Sequence, residues 1–404
     1  MEEMNMFEKE GFSCRTVSAK LGTKGGLVQR YDGLRHYQGE LGDFWYDPKK
    51  FEVLIHEIME FEYLHYVGNS GAVDLPKGCV NTRFMFRECI LPDGTTLGND
   101  FDTSEVIDMQ GMFAECEIPA GFFLGDKFST SNVTNMRGMF NGCKMPVGFS
   151  LGDKFDTSNV TNMYGMFTDC KLPEGFTLGN KFDTSGVTDM GVMFRKCELP
   201  LGFSLGENFD TSYVTDMSDM FLECKMPTGF SLGNKFDTSK VIDMSCMFAD
   251  CKLPSSFTLG KNFDTSNVIR MNSMFSYCEL PSGFSLGDKF NTNNVVDMNF
   301  MFFFCEFPEG FTLGSKFNTF KVEDMSGMFC QCKLPAGFTL GEKFYTYNVI
   351  DMESMFQECE FSEDFSLGKN FTVSDPRILK EMFTGCKLPE GETIESLLNN
   401  CEEA

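Results

Sequence analysis

The sequence predicts an α/β repeat solenoid, with one short parallel strand plus one short helix per 27-residue unit, and three observations carry that reading. A Phe recurs every 27 residues from Phe101 to Phe371. A Cys recurs at the same period from Cys89 to Cys386, each shortly preceded by a Met-Phe pair running from Met85-Phe86 to Met382-Phe383. A Leu-Gly step runs from Leu97-Gly98 to Leu367-Gly368, with no insertion anywhere in the array. A chain of 404 residues would otherwise suggest two or three globular domains. The fixed period overrides that prior.

One unit shows how each element arises. After Asp156-Thr157-Ser158 come Val160, Met163, Met166, Phe167 and Cys170. At a helical pitch these five fall within an arc of about 120°, the width of a core-facing stripe. Ser and Thr ahead of the stripe suit the orphan N–H groups of a first helical turn. Gly165, inside the stripe, argues for a short helix. Pro173 closes the helical half and Gly175 frees a turn. Phe176-Thr177-Leu178 then alternates apolar and polar, as a strand with one buried face does, and Gly179 ends it. Such a unit cannot bury its apolar stripe alone; stacking buries it continuously. Twelve rungs of parallel strands would make a sheet about 55 Å long.

The chain divides into an N-terminal cap (1–80), a solenoid (81–391) and a C-terminal cap (392–404). In the first segment, YDPKKFEVLIHEIMEFEYLHYV reads as a helix from about Pro48, with Phe51, Leu54, Ile55, Ile58, Phe61 and Leu64 at helical spacing. Before it, GLVQRYDGLRHYQGELGDFWY has the Gly-punctuated, aromatic pattern of short strands and turns. At the far end TIESLLNN (393–400) reads as a terminal capping helix.

The run FDTSNVTNMYGMFTDC resembles the repeat of BspA-like leucine-rich-repeat proteins over about residues 81–390. The resemblance implies a leucine-rich-repeat-like solenoid used for adhesion or protein binding, without enzymatic activity. Its Cys-to-Phe half departs from that family: L-P-x-G-F-x-L-G stands where a more Leu- and Ser-rich strand segment is usual. MEEMNMFEKEGF also lacks the apolar core of a secretion signal, which such surface proteins usually carry.

Composition narrows the function classes. Phe (46) and Met (28) dominate the apolar residues because each ladder multiplies one residue type. Twelve of the seventeen Cys occupy one ladder position, with no Cys-x-x-Cys pair and no His in the array. Tetrahedral metal sites need converging ligands, so the ladder reads as reduced, buried thiols without cofactor or metal, in a reducing compartment. With no membrane-length apolar stretch, cytoplasmic residence is the expectation, with signal-less delivery to a host or cell surface as the other route. The net charge of −25 argues against direct nucleic-acid binding.

Two acidic ladders contribute to that charge. One is Asp102, Asp156, Asp183, Asp210, Asp237 and Asp264; the other is Asp108, Asp189, Asp216, Asp243, Asp297, Asp324 and Asp351. A row of Lys (Lys127, Lys154, Lys181, Lys235, Lys289, Lys316, Lys343) offsets the first. These ladders read as a solvated surface with helix-start carboxylates. The sharper alternative is a rod of charge that mimics nucleic acid and blocks the basic groove of a nucleic-acid-processing enzyme, such as a defence nuclease.

No catalytic constellation is present. HEIME lacks the second His of a zincin helix, and the Ser/Thr row from Ser150 to Ser366 has no base beside it. An enzyme within residues 1–80 is the least favoured function. Specificity is instead expected where the repeat is broken. Tyr277, Phe300, Phe303, Phe304, Phe320, Tyr345 and Tyr347 replace Gly, Ser, Asn or acids within four neighbouring rungs. Exposed contiguous aromatics with an acidic rim mark a partner-binding patch. The expected partner is a protein, favoured by a basic surface, with no membrane contact.

Overall fold

In the computed structural model, each rung is built from tight turns, and the rung 130–144 shows the scheme. The Val133, Met139, Asn141 and Cys143 N–H groups donate to carbonyls three residues back, at 2.9–3.1 Å. The intervening N–H groups of Met136, Gly138, Phe140 and Gly142 donate forward to Asn162, Tyr164, Met166 and Thr168 of the next rung, at 2.7–3.0 Å. Those of Thr134 and Lys144 donate backward to Ile107 and Cys116. Each rung therefore satisfies its backbone half within itself and half through its neighbours, as buried backbone must. The structure describes residues 27–31, 34–39, 42–46, 53–58, 61–66, 72–98, 101–362, 364–373, 381–388 and 390–397.

This hydrogen-bond pattern corrects the expected helix. An α-helix sends successive N–H groups to carbonyls four back, whereas here alternate N–H groups leave for the next rung. Two positions per rung also take left-handed backbone, such as Gly138 (φ 59°) and Gly142 (φ 66°), which interrupts any helix. The stripe itself is real. Val133, Met136, Met139, Phe140 and Cys143 are all buried, because the turn series aims the same residues inward.

The Thr at the rung entrance is also not a helix cap. From Thr103 to Thr346 it is buried, and its hydroxyl donates to a carbonyl 26 residues on: Thr130 to Asp156 O at 2.7 Å, Thr211 to Asp237 O at 2.8 Å. The neighbouring Asp does the local work, accepting from the N–H two residues later, as Asp183 does from Ser185 at 2.9 Å.

A strand at the Phe-x-Leu position exists in the first rung. There β7 (Thr96–Leu97) pairs in parallel with β6 (Ala72–Val73), and Thr339 and Ser366 form an equivalent bridge. Elsewhere Pro and two left-handed glycines, such as Gly175 and Gly179, leave too few residues between them for a ladder. Parallel bridges run instead along two other columns, Asn81–Asp108–Asn135–Asn162–Asp189 and its continuation, and Ile90–Glu117–Lys144–Lys171–Glu198.

The core is a set of stacked ladders. The Phe of the Met-Phe pair stacks face to face from Phe86 to Phe383, with ring centroids 5.0–5.8 Å apart. A second ladder, Phe101, Phe128, Phe155 and onward, stacks at 6.3–6.5 Å. Offset-stacked and edge-on rings of this kind add to simple burial. The ladder cysteines are free thiols among the described residues. The Cys170 thiol donates to Phe140 O at 2.9 Å, and burial pushes its pKa up to about 12.

Ahead of the array, β1 (Leu27–Tyr31), β2 (Leu34–Gly39) and β3 (Gly42–Tyr46) form an antiparallel sheet. The expected helix from Pro48 is instead a hairpin of β4 (Val53–Ile58) and β5 (Phe61–Tyr66). The apolar residues of VLIHEI and FEYLHY fit helical spacing, but the β-branched and aromatic content favours a pleated ribbon. The register sets His56 opposite Tyr63 and His65 opposite Leu54. At the C-terminus residues 394–397 form one helical turn: Leu397 N–H donates to Thr393 O, and Thr393 Oγ1 accepts from Ser396 N–H. The rest of the expected capping helix lies outside the described residues.

Candidate interaction surface

The aromatic break occupies the turn corners of the ninth rung, with Tyr277 on the eighth. Two columns of left-handed residues run along the solenoid there. One reads Val192, Asp219, Cys246, Ser273, Phe300, Gly327, Ser354; the other Lys196, Glu223, Asp250, Tyr277, Phe304, Gln331, Glu358. A left-handed, non-Gly corner aims its side chain away from the core while its N–H bonds to the next rung, as Phe300 does to Ser326 O (2.8 Å) and Phe304 to Cys330 O (2.8 Å). Such backbone is unfavourable for L-residues by about 1–2 kcal/mol each; the inter-rung bonds hold it.

The seven predicted residues form two clusters. In the first, Tyr277 meets Phe303 edge-on at 5.0 Å and lies 5.4 Å from Phe304, while Phe300 meets Phe303 edge-on at 5.6 Å. Tyr277 (51% exposed), Phe304 (49%) and Phe300 (40%) face solvent, and Phe303 is half-buried between them. In the second, Phe320, Tyr345 and Tyr347 sit within 5.6–6.2 Å of one another, Tyr345 half-buried. Phe320 and Tyr347 meet at 82°, edge to face. Tyr345 also borders an open groove of about 620 Å³ lined by Thr312, Leu313, Phe317 and Lys343.

Phe300 has a structural twin. Its ring lies over Gly327, so that a Cβ built there would run into it, and the ring of Phe84 lies over Gly111 in the same way. A bulky ring at this corner is matched by Gly on the next rung. The two corners differ three residues on: Arg87 stands beside Phe84, its guanidinium 5.7 Å from the ring centroid, and Phe303 stands beside Phe300.

The charged ladders are more organised than a solvated surface. The second acidic ladder is in register, Asp189–Asp216–Asp243 and Asp297–Asp324–Asp351, each bridged to the next. These carboxylates accept from the N–H two residues on, as Asp216 does from Ser218 at 2.9 Å. Burial holds the Asp189 and Asp297 carboxyls above the usual range, with the neighbouring carboxylate adding to it. Arg270 breaks the row and bonds Asp243 at 2.7 Å. In the first ladder, side-chain hydrogen bonding from Ser104 and Ser158 lowers Asp102 and Asp156, helped by nearby lysines.

Two features escaped the sequence reading. One column pairs opposite charges across rungs: Lys144–Glu117 (3.1 Å), Lys171–Glu198 (3.2 Å), Lys252–Glu279 and Lys333–Glu360 (3.6 Å). The other is a β-branched row running Thr134, Thr161, Thr188, Thr215, Ile242, Ile269, Val296, each N–H donating to the residue 27 before. Both are visible once the units are aligned and read down columns, where a residue's rung neighbours are 27 away.

Among the described residues no group of three or more His, Cys, Asp or Glu converges to hold a metal ion, and no helix is long and apolar enough to cross a membrane. A sequence profile of the family described as "Mycoplasma protein of unknown function, DUF285" matches the chain in six overlapping stretches, 80–198, 120–226, 172–281, 200–306, 230–333 and 282–395. No curated protein and no solved structure matches.

Proposed function

From the premise that the chain belongs to this repeat family, we propose that it is a non-catalytic scaffold that recognises a partner protein through the aromatic break in its acidic solenoid. The observation that supports the reading is the Tyr277, Phe300, Phe303 and Phe304 cluster: four rings joined through Phe303 across adjacent rungs, three of them exposed, at columns that elsewhere hold mostly polar or small residues. Rings held on a hydrogen-bonded rung lose little freedom on binding, which suits a recognition anchor. The finer kinship we propose is with BspA-like leucine-rich repeats, on the F-D-T-S-x-V-x-x-M-x-x-M-F-x-x-C motif.

The test is affinity capture from lysate at low and high salt, with Phe300→Ser, Phe303→Ser, Phe304→Asn together as the comparison. A partner kept at high salt and lost on substitution supports the reading. A second reading, charge mimicry of nucleic acid, is favoured by the in-register Asp ladder. It predicts a basic nucleic-acid-processing partner released by salt and indifferent to the substitutions.

A further inference from the structure

Three rings elsewhere on this solenoid are covered by cations of the chain itself. The Arg137 guanidinium lies 4.1 Å over the Tyr164 ring, the Lys240 ammonium 3.4 Å over Tyr213, and Arg87 beside Phe84. Among the described residues no cation lies over Tyr277, Phe300, Phe303 or Phe304. The place that Arg87 takes in the first rung is filled in the ninth by Phe303, three residues after a ring seated on Gly in the same way.

The surroundings of the cluster are anionic. Along its column Glu223 and Asp250 precede Tyr277, and Glu358 follows Phe304 after Gln331, whose amide donates to that Glu358 carboxylate at 2.7 Å. Glu279, which is paired with Lys252, and Glu306 follow Tyr277 and Phe304 by two residues and are exposed. Ring faces carry negative quadrupole charge, which attracts a cation placed over them. A second copy of this chain is a poor occupant, because each carries a net charge of −25.

We infer that the ninth-rung cluster receives arginine or lysine side chains from a basic peptide segment of the partner, taking from outside the cation that the chain supplies to Phe84, Tyr164 and Tyr213. This deepens the recognition reading and rests on it. Arginine fits better than lysine, since its planar guanidinium can stack on one ring while donating to a flanking carboxylate.

The experiment titrates the full chain, by calorimetry, with hexa-arginine, with hexa-citrulline as the neutral isostere, and with a neutral Leu/Gln hexapeptide. The work is done in about 0.5 M salt, where bare surface charge is screened within a few ångströms. Expected is hexa-arginine binding at least about tenfold tighter than hexa-citrulline, lost in the triple variant and in Phe303→Arg, which installs the chain's own cation. Phe304→Asn, at a left-handed position Asn tolerates, serves if the triple variant does not fold. Equal binding of arginine and citrulline, equal binding by the variants, or no arginine binding overturns the inference. If the Leu/Gln peptide binds and depends on the rings while hexa-arginine does not, the cation inference falls and the scaffold reading stands. The scaffold reading falls separately, when the triple variant captures the same lysate proteins as the unsubstituted chain.

Discussion

The corner at Phe84 and the corner at Phe300 have the same backbone and opposite surroundings. Both residues are left-handed, at φ 55° and 52°, and both rings rest on a glycine of the next rung. At Phe84 the chain closes the feature with Arg87, which also reaches Glu88 at 2.9 Å. At Phe300 it extends the feature into four touching rings. The same local geometry thus ends in a self-satisfied corner at one end of the array and an open apolar cluster near the other. In a solenoid the fold is set by the columns that never vary, which leaves the corner columns free to carry specificity.

The largest effect that sharpens this contrast lies between column and corner. Phe194→Ala, in the stacked ladder, is expected to destabilise by about 3–5 kcal/mol, while Phe303→Ser, at the corner, shifts stability by less than about 1 kcal/mol; urea unfolding measures both. Next is Thr211→Val, which keeps shape but leaves the buried Asp237 carbonyl without its 2.8 Å donor. A loss of about 1–3 kcal/mol is expected, and a neutral result would show that the Thr column is not holding rungs together.

A smaller effect tests the ring-on-glycine pairing. Gly138→Ala and Gly327→Ala each place a side chain on left-handed backbone, a loss of about 1 kcal/mol. Only the second also meets a ring, that of Phe300. Its extra loss should disappear in a Phe300→Ser background, giving a coupling of about 0.5 kcal/mol or more in a double-mutant cycle. Additivity would mean that the ring does not rest where the geometry puts it.

The smallest effect is electrostatic and opposite in sign at the two acidic ladders. Asp297 is raised in the folded state by burial, so its ionised form opposes folding; its contribution improves as pH falls toward the ordinary carboxylate range. Asp156 is lowered by Ser158 and Lys181, so its contribution is present at neutral pH and is lost as pH falls through its folded value. Asp297→Asn should therefore raise the Tm slightly at pH 7, with the gain vanishing in acid, and Asp156→Asn should lower it. Thermal melts across pH check both signs.

The sequence made the stacking legible because an inter-rung contact is a contact at a separation of 27, and period is visible without coordinates. Val160, Met163, Met166, Phe167 and Cys170 could be assigned to the core for that reason. What it hid was the local conformation. Inward residues spaced 3, 3, 1 and 3 apart fit a helical stripe and also fit successive turns with alternate N–H groups sent to the next rung. Residues such as Val192 and Asp219 at positive φ give no sign of left-handed backbone, since their strain is offset by bonds to a different rung. The same ambiguity misled at Val53–Ile58, where an antiparallel partner decides the ribbon. The aromatic positions were legible as exceptions; their division into two clusters was not, because contact around a rung does not follow from the period.

The most direct test of the central claim, that columns fold the chain and the ninth-rung corner recognises its partner, is the melting of the triple variant Phe300→Ser, Phe303→Ser, Phe304→Asn, followed by circular dichroism beside the unsubstituted chain. Superimposable spectra and a Tm within a few degrees are predicted, as expected for corner substitutions worth little to stability. A variant that is unfolded, or whose transition collapses, would show that these rings are core and contradict the account.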